Sequence, residues 1–325
     1  MAINKISILL PVYNTPKEWL TDSVQSILNQ THKDFELLIL DDGSSNPGTQ
    51  QSLTDLEKID SRISVKKNKS NLGLAKNLNQ GLLLAKHQWV ARMDSDDIAH
   101  PDRLKQQIHF LNKNNEVSIL GTNIQCFDGS TRIIRYPTTH REISTSMLWG
   151  CQVAHPTVIY NKNTILSVGG YPEDKQNAED YALWTKIIAD RPDAKFHNLP
   201  ETLLDYRVQR NRKEYYSIQE INGDIIRKNF WENCNLNSNL CYLLQRSLSR
   251  RGDVSSSQLE RDLTEFLLSI ENNPKIDEHL LKHRLKLIVS KFLRRSKKLE
   301  FLPSLIQCHL FPSNYFSGSS RIRRQ

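Results

Sequence analysis

An α/β sandwich is the fold class this sequence predicts, on two observations. Over the first two hundred residues, short apolar runs alternate with stretches whose apolar side chains recur at helical spacing. Polar and acidic clusters fall where the apolar runs end, the place where open α/β sheets carry their ligands. Strand, helix, strand, helix in this order implies parallel strands joined by right-handed crossovers.

Each element has its own signal. ISILLPV (6–12) reads as the first strand, and Leu20, Val24, Ile27 and Leu28 mark the helix after it. FELLILD (35–41) is the second strand, followed by NPGTQQSL, where Asn supplies a cap and Pro a first helical residue. ISVKKN (63–68) is the third strand, Leu74, Leu78 and Leu82 mark a helix, WVARMD (89–94) is the fourth strand, and Leu104, Ile108 and Leu111 mark another helix. After Asn115 the alternation loosens. VSILGTNIQCF, RIIRYP and HPTVIYN read as strands without full crossover helices, AEDYALWTKIIAD returns to helix and TLLDYRV to strand. A mixed second half on the same sheet is expected. From about Ser217 the pattern is helical, with a loop near Arg250 to Ser257, so two domains are predicted, 1–215 and 216–325.

Composition narrows the class. At 325 residues and 38% apolar content the chain can bury a sizeable core. No run approaches the roughly 18 apolar residues that span a bilayer, and MAINKISILLPVYN lacks the apolar core and cleavage site of a secretory signal. The five cysteines are scattered without CxxC spacing, which argues against a disulfide framework or a thiolate metal site and fits a reducing cytosol. A cytoplasmic location is therefore expected.

Charge is uneven. The net +8 arises from residues 282–325, which carry eleven basic side chains and one acid, leaving the first 281 residues at −2. LLKHRLKLIVSKFLRRSKKLEFLPSLIQCHLF mixes those cations with Leu, Ile, Val and Phe at helical spacing. Such a helix can lie on an anionic membrane face, or pack on the catalytic domain through its apolar stripe. No nucleic-acid module accompanies the charge.

Three polar clusters should converge at one sheet edge: Pro11, Tyr13 and Asn14; Asp41, Asp42, Gly43 and Ser44; Asp94, Ser95, Asp96 and Asp97. DDGSSNPG is also good turn chemistry. DSDD is harder to explain that way, since two like charges about 4 Å apart repel by roughly 4 kcal/mol at an effective dielectric near 20. Three carboxylates without cysteine or paired histidine suit a hard divalent cation, Mn or Mg, whose remaining ligands come from water and phosphate oxygens. A nucleotide diphosphate is the implied co-ligand. There is no GxxxxGK[ST] loop and no GxGxxG after the first strand, which argues against a P-loop and a Rossmann dinucleotide site.

ISILLPVYN, LLILDDGSS, NLGLAKNLNQGL, ARMDSDDIAHPDRL, AEDYALWTKI and LLDYRV, in this order, resemble the family 2 glycosyltransferases over about residues 4–212. The resemblance implies a GT-A fold, a Rossmann-like α/β/α sandwich with a mixed central sheet, here with a helical C-terminal region. It implies inverting transfer of a hexose (glucose, galactose or N-acetylhexosamine) from a UDP-sugar to a glycan or lipid-linked acceptor in cell-surface polysaccharide synthesis.

Residue roles follow from the resemblance. Pro11, Tyr13 and Asp42 match positions that hold uracil. Asp94 and Asp96 match the DxD pair, the first toward ribose or metal and the second on the metal. Asn71 and Lys76 lie in the segment lining the donor pocket. Glu179 and Asp180 match the acidic pair whose second member is the general base, and a helix start there favours its ionised form. Where the family often has a histidine after the last strand this chain has Gln209, which can still offer an oxygen to a cation. His155 sits at a recurrent His-Pro and is a candidate sugar contact; Trp149 and Trp184 are candidates to stack on sugar or to fill the core. Two other enzyme and signalling readings compete. A sugar-phosphate nucleotidyltransferase would want a glycine-rich basic loop after the first strand, and a receiver-like phosphate-signalling domain would use Asp41 and Asp42 in an acidic pocket.

Overall fold

A computed structural model of the chain describes residues 2–209, 213–247 and 256–271, together with 273, 275, 277–283, 285, 286 and 289. The chain divides into two compact units, Met1–Ile226 and Arg227–Gln325. Most of the basic segment 282–325, and the loop expected at 250–257 as far as residue 255, lie outside the described residues. Among the described residues no helix is long and apolar enough to cross a membrane.

The first unit opens with a regular alternation: β1 (Ile6–Val12), α1 (Lys17–Leu28), β2 (Phe35–Asp41), α2 (Pro47–Ile59), β3 (Ile63–Lys67), α3 (Leu74–Leu84) and β4 (Trp89–Arg92). It continues with β5 (Ile98–Ala99), α4 (Arg103–Lys113), β6 (Val117–Phe127), β7 (Ile133–Ile134) and α5 (His140–Ser146). After a single 3₁₀ turn at His155–Thr157 come β8 (Ile159–Asn161), α6 (Lys162–Ser167), α7 (Glu179–Asp190) and β9 (Lys195–Arg207). Helix α8 (Lys213–Asn233) spans the unit boundary, and α9 (Ser238–Ser247) and α10 (Ser256–Ile270) belong to the second unit. There Phe230, Trp231, Leu244, Leu263 and Phe266 are buried.

The strands form one mixed sheet in the order β3-β2-β1-β4-β8-β6-β9-β5, with β7 on β6. The first four pair in parallel, β8 runs antiparallel to β4 and β6, and β9 is again parallel to β6. This is the mixed α/β sandwich the sequence predicts. β1 and β2 are buried along their whole length, which is why they read as continuous apolar runs rather than alternating ones. Leu20, Val24 and Ile27 turn the buried face of α1 inward, and Asn46 caps α2 by accepting from the Gly48 and Thr49 amides at 2.8 and 3.2 Å.

Several boundaries differ from expectation. β4 stops at Arg92, two residues early, because the chain turns there into the acidic cluster. HPTVIYN is half 3₁₀ turn and half strand. β9 begins at Lys195, seven residues before TLLDYRV, although Pro200 lacks an N–H. The ladder with β6 absorbs it by a register shift between Thr122 and Asn123, and Asn123 donates to the Pro200 carbonyl at 2.6 Å.

The register positions the site. Pairing of Val12 with Asp41, and of Leu9 with Arg92, brings the C-terminal ends of β1, β2 and β4 to one edge. The three polar clusters converge there.

Candidate functional site

A cavity of about 1230 Å³ opens at this edge. Its walls include Pro11, Tyr13, Asp42, Asn71, Lys76, Asp94, Asp96, His155, Glu179, Asp180 and Gln209, so these residues singled out from the sequence reach one space.

At the β2 end, the two aspartates divide the work. Asp41 accepts from the Ser44 amide at 3.0 Å and builds the turn. Asp42 faces away from that turn. Its carboxylate accepts from the Leu72 and Gly73 amides at 2.9 Å each and from Asn68 Nδ2 at 3.0 Å, tying the segment before α3 to the end of β2. Gly43, at φ +73°, makes the approach possible: a Cβ there would lie 2.6 Å from the Ser70 carbonyl carbon. Asn71 accepts from the Gly73 amide at 2.9 Å. Tyr13 is exposed beside them.

The acidic cluster after β4 is offset from within the protein. Oxygens of Asp94, Asp96 and Asp97 lie within 4.8 Å of one another. Arg92, itself 2% exposed, pairs with Asp94. Arg207 donates its backbone N–H to Asp97 Oδ1 and its Nε to the Asp96 carbonyl, both at 2.8 Å, while its guanidinium pairs with Asp128 and stacks over Trp19 and Phe127. Gln209 Nε2 donates to Asp96 Oδ2 at 2.7 Å. Burial, with Asp94 and Asp96 adding to it, holds the Asp97 carboxyl well above the usual range. Its Oδ2 is buried without a hydrogen-bond partner. A compact set of hard oxygen donors with one unsatisfied buried oxygen fits a divalent cation.

Glu179 and Asp180, which also line the cavity, open α7. Burial, reinforced by Asp180, pushes Glu179 up to about 7. The helix start was expected to favour ionised Asp180; burial outweighs it and raises the carboxyl pKa, against lowering contributions from the Tyr181 amide and Arg92. Asp180 Oδ1 accepts from Tyr181 N–H at 2.7 Å. His155 borders the cavity but is buried, its Nε2 3.0 Å from the Tyr171 hydroxyl, and burial drives its pKa well down, so the ring is neutral. Trp184 is a core residue, fully buried and edge-on to Phe196; neither it nor Trp149 borders the cavity.

Sequence reasoning passed over several residues of the wall: Trp19, Arg92, Tyr136, Cys151 and Arg207. Arg92 had a legible signal, a charged residue inside the apolar run WVARM. The others depend on long-range packing.

The Glycosyl transferase family 2 profile matches residues 7–167. The O-antigen biosynthesis glycosyltransferase WbnJ of Escherichia coli is 32% identical over 223 residues, which is 66% of this chain and 85% of that one. The chain is a family 2 glycosyltransferase. Its fold agrees with that of S. aureus TarS 1–349 solved with UDP-GlcNAc, at a TM-score of 0.59 and 17% identity over 97% of this chain and 92% of that one. This chain covers 54% of the longer TarS structure. The fold also matches Pyrobaculum calidifontis mannosyltransferase PcManGT, solved with GDP-Man and Mn2+, at a TM-score of 0.57 and 13% identity over 95% and 87% of the two chains. Membership in this family replaces the nucleotidyltransferase and receiver-like readings, and Asp42, held by backbone amides, has no part in an acidic signalling pocket.

Proposed function

We propose that this glycosyltransferase moves a hexose from a UDP-sugar to a glycan or lipid-linked acceptor, with inversion, in surface-polysaccharide synthesis. The observation that carries the reading is the convergence of two acidic pairs on one cavity, Asp94 with Asp96 after β4 and Glu179 with Asp180 at the start of α7.

The uracil lies by Pro11 and Tyr13, with Asp42 accepting the base N–H through its remaining lone pairs. Lys76 and Asn71 meet the phosphate or sugar hydroxyls. Asp94 and Asp96 would hold Mn or Mg, with the Gln209 amide turned to present its oxygen. When bound, that cation supplies charge stabilisation to the departing diphosphate. Asp180 removes the acceptor hydroxyl proton on the face opposite the phosphate. An ionised carboxylate is required, and Arg92 favours that form. His155, neutral and fixed by Tyr171, supports the sugar side of the pocket. The basic C-terminal segment would dock on an anionic membrane face, where a lipid-linked acceptor is presented.

The test is calorimetric titration of the full chain with UDP, GDP and ATP, in Mn and in chelator. Metal-dependent binding selective for UDP is expected. Asp96→Ala should abolish it, while Asp180→Asn keeps binding and stops transfer. Selectivity for GDP, or binding that ignores the metal, would overturn the donor assignment.

A further inference from the structure

Cys151 lies between α5 and the 3₁₀ turn and borders the cavity. Its sulfur is 3.6 Å from Asp180 Oδ2 and 3.4 Å from the Val153 carbonyl oxygen. The thiol has one hydrogen and two acceptors in reach. The other Asp180 oxygen takes the Tyr181 amide at 2.7 Å, so the carboxylate is gripped by one donor on each oxygen. That fixes its rotation. A carboxylate oxygen accepts more than one hydrogen bond, and both retain capacity for an acceptor hydroxyl.

We propose that Cys151 is a positioning residue for the transfer reaction, its S–H turning to Asp180 when that carboxylate is ionised and to the Val153 carbonyl when it is protonated. The inference rests on Asp180 being the general base. A hydrogen bond to an ionised acceptor is roughly twice as strong as one to a neutral group. The charged carboxylate therefore wins the single hydrogen over the carbonyl. Once Asp180 takes the acceptor proton it loses its charge, and the contest reverses. The S–H bond itself stays intact, because burial and the neighbouring carboxylate push the thiol pKa well up. The sulfur is a donor and not a nucleophile.

The other groups acting on Asp180 are Arg92 of β4, which favours the ionised form, its neighbour Glu179, and the hydroxyls of Tyr136 and Tyr171. Of these the guanidinium is the only cation. The thiol complements it by direct contact with the oxygen.

The experiment compares Cys151→Ala, Cys151→Ser and Asp180→Asn in the full chain, following UDP release from UDP-glucose, UDP-galactose and UDP-GlcNAc against pH with Mn present. Losing a donor to the ionised form raises the base's pKa. Cys151→Ala should move the acid limb of kcat to higher pH, lower kcat at neutral pH by about three- to ten-fold, and leave the donor KM unchanged. Cys151→Ser, which keeps a donor, should restore the limb. Equal profiles for Ala, Ser and wild type, or equal losses without a shift, would overturn the proposal. Infrared spectroscopy gives a second reading without turnover: the Cys151 S–H stretching band, isolated by subtracting the Ala spectrum, should shift as Asp180 ionises and stay fixed in Asp180→Asn. A band indifferent to pH in the wild type sinks the inference. Turnover by Asp180→Asn at the wild-type rate would instead sink the assignment of the base.

Discussion

Arg92 and Asp94 form an ion pair of 2.5 Å at the floor of the cavity, the arginine 2% exposed and the aspartate 27%. Two further nitrogens of the guanidinium are buried without partners. Asp94 is thus the ion-pair partner of a charge that water cannot reach. Taking away one member of a buried pair costs more than the pair contributes, because the other is left uncompensated. Asp94→Asn should therefore lower unfolding stability by about 3 kcal/mol, read from urea unfolding at neutral pH. Arg92→Met leaves the half-exposed Asp94 to hydrate, so its loss should be smaller. The reverse order would mean the arginine is stabilised by something other than Asp94.

Gly43 and Gly73 separate two kinds of glycine requirement in one loop contact. Both have positive φ, +73° and +88°, but a Cβ on Gly43 meets the Ser70 backbone while one on Gly73 meets nothing within 4 Å. Gly73→Ala should lose about 1–3 kcal/mol through backbone strain alone, since its φ of +88° with ψ of +153° is a conformation essentially confined to glycine. Gly43→Ala should lose more, and should also push 70–73 off Asp42, weakening UDP binding at least about ten-fold. Calorimetry on both variants decides it; equal UDP affinities would show that the loop contact does not shape the nucleotide end.

Much of this site was legible in the chain, for physical reasons that differ by residue. Asp94 and Asp96 declare themselves because three carboxylates at the end of one apolar strand exceed what turn or cap chemistry requires, whereas Asp42, in good turn chemistry, and Asp180, at a helix start, drew their roles from the family resemblance. β1 and β2 were legible to the residue, since a strand buried on both faces is a continuous apolar run. β9 was only half legible: Pro200 and Asn198 break the pattern of a strand that survives through a register shift and side-chain bonds to distant carbonyls. Asp97 gave no sign of its burial, nor of the pKa that burial, Asp94 and Asp96 raise against the lowering hydrogen bond from the Arg207 amide, 110 residues away. Trp184 illustrates the opposite limit, as aromatic side chains carry the same signal in a core and in a sugar site.

Arg207 links those distant parts. It is sandwiched between Trp19 and Phe127, at 4.6 and 4.4 Å from the ring centroids, while it holds Asp128 and the Asp96 carbonyl. A lysine keeps the charge but loses the planar fork and the stacking. Arg207→Lys should cost about 1–2 kcal/mol of stability and weaken Mn-dependent UDP binding several-fold, since Asp96 loses its backbone anchor. Unchanged Mn dependence with lowered stability would confine Arg207 to the fold.

Glu179 supplies the pH dependence. It is 6% exposed, and burial beside Asp180 raises its carboxyl from the ordinary 4.5 to about 7. Between those values the folded protein holds a proton that the unfolded chain has released, so stability falls as pH rises through that window and is fully lowered above it. The loss amounts to about 3 kcal/mol. Glu179→Gln removes the titration. The variant should match wild type near pH 4.5 and be the more stable of the two at pH 8, by about 3 kcal/mol, in urea unfolding followed across pH. Parallel curves would mean that the carboxyl titrates normally. An acid held here at a cost to stability is a candidate for a functional group, because active sites are where such costs are retained. The same Glu179→Gln protein should accordingly lose transfer activity while gaining stability, and retention of full activity would separate the raised carboxyl from the chemistry of Asp180.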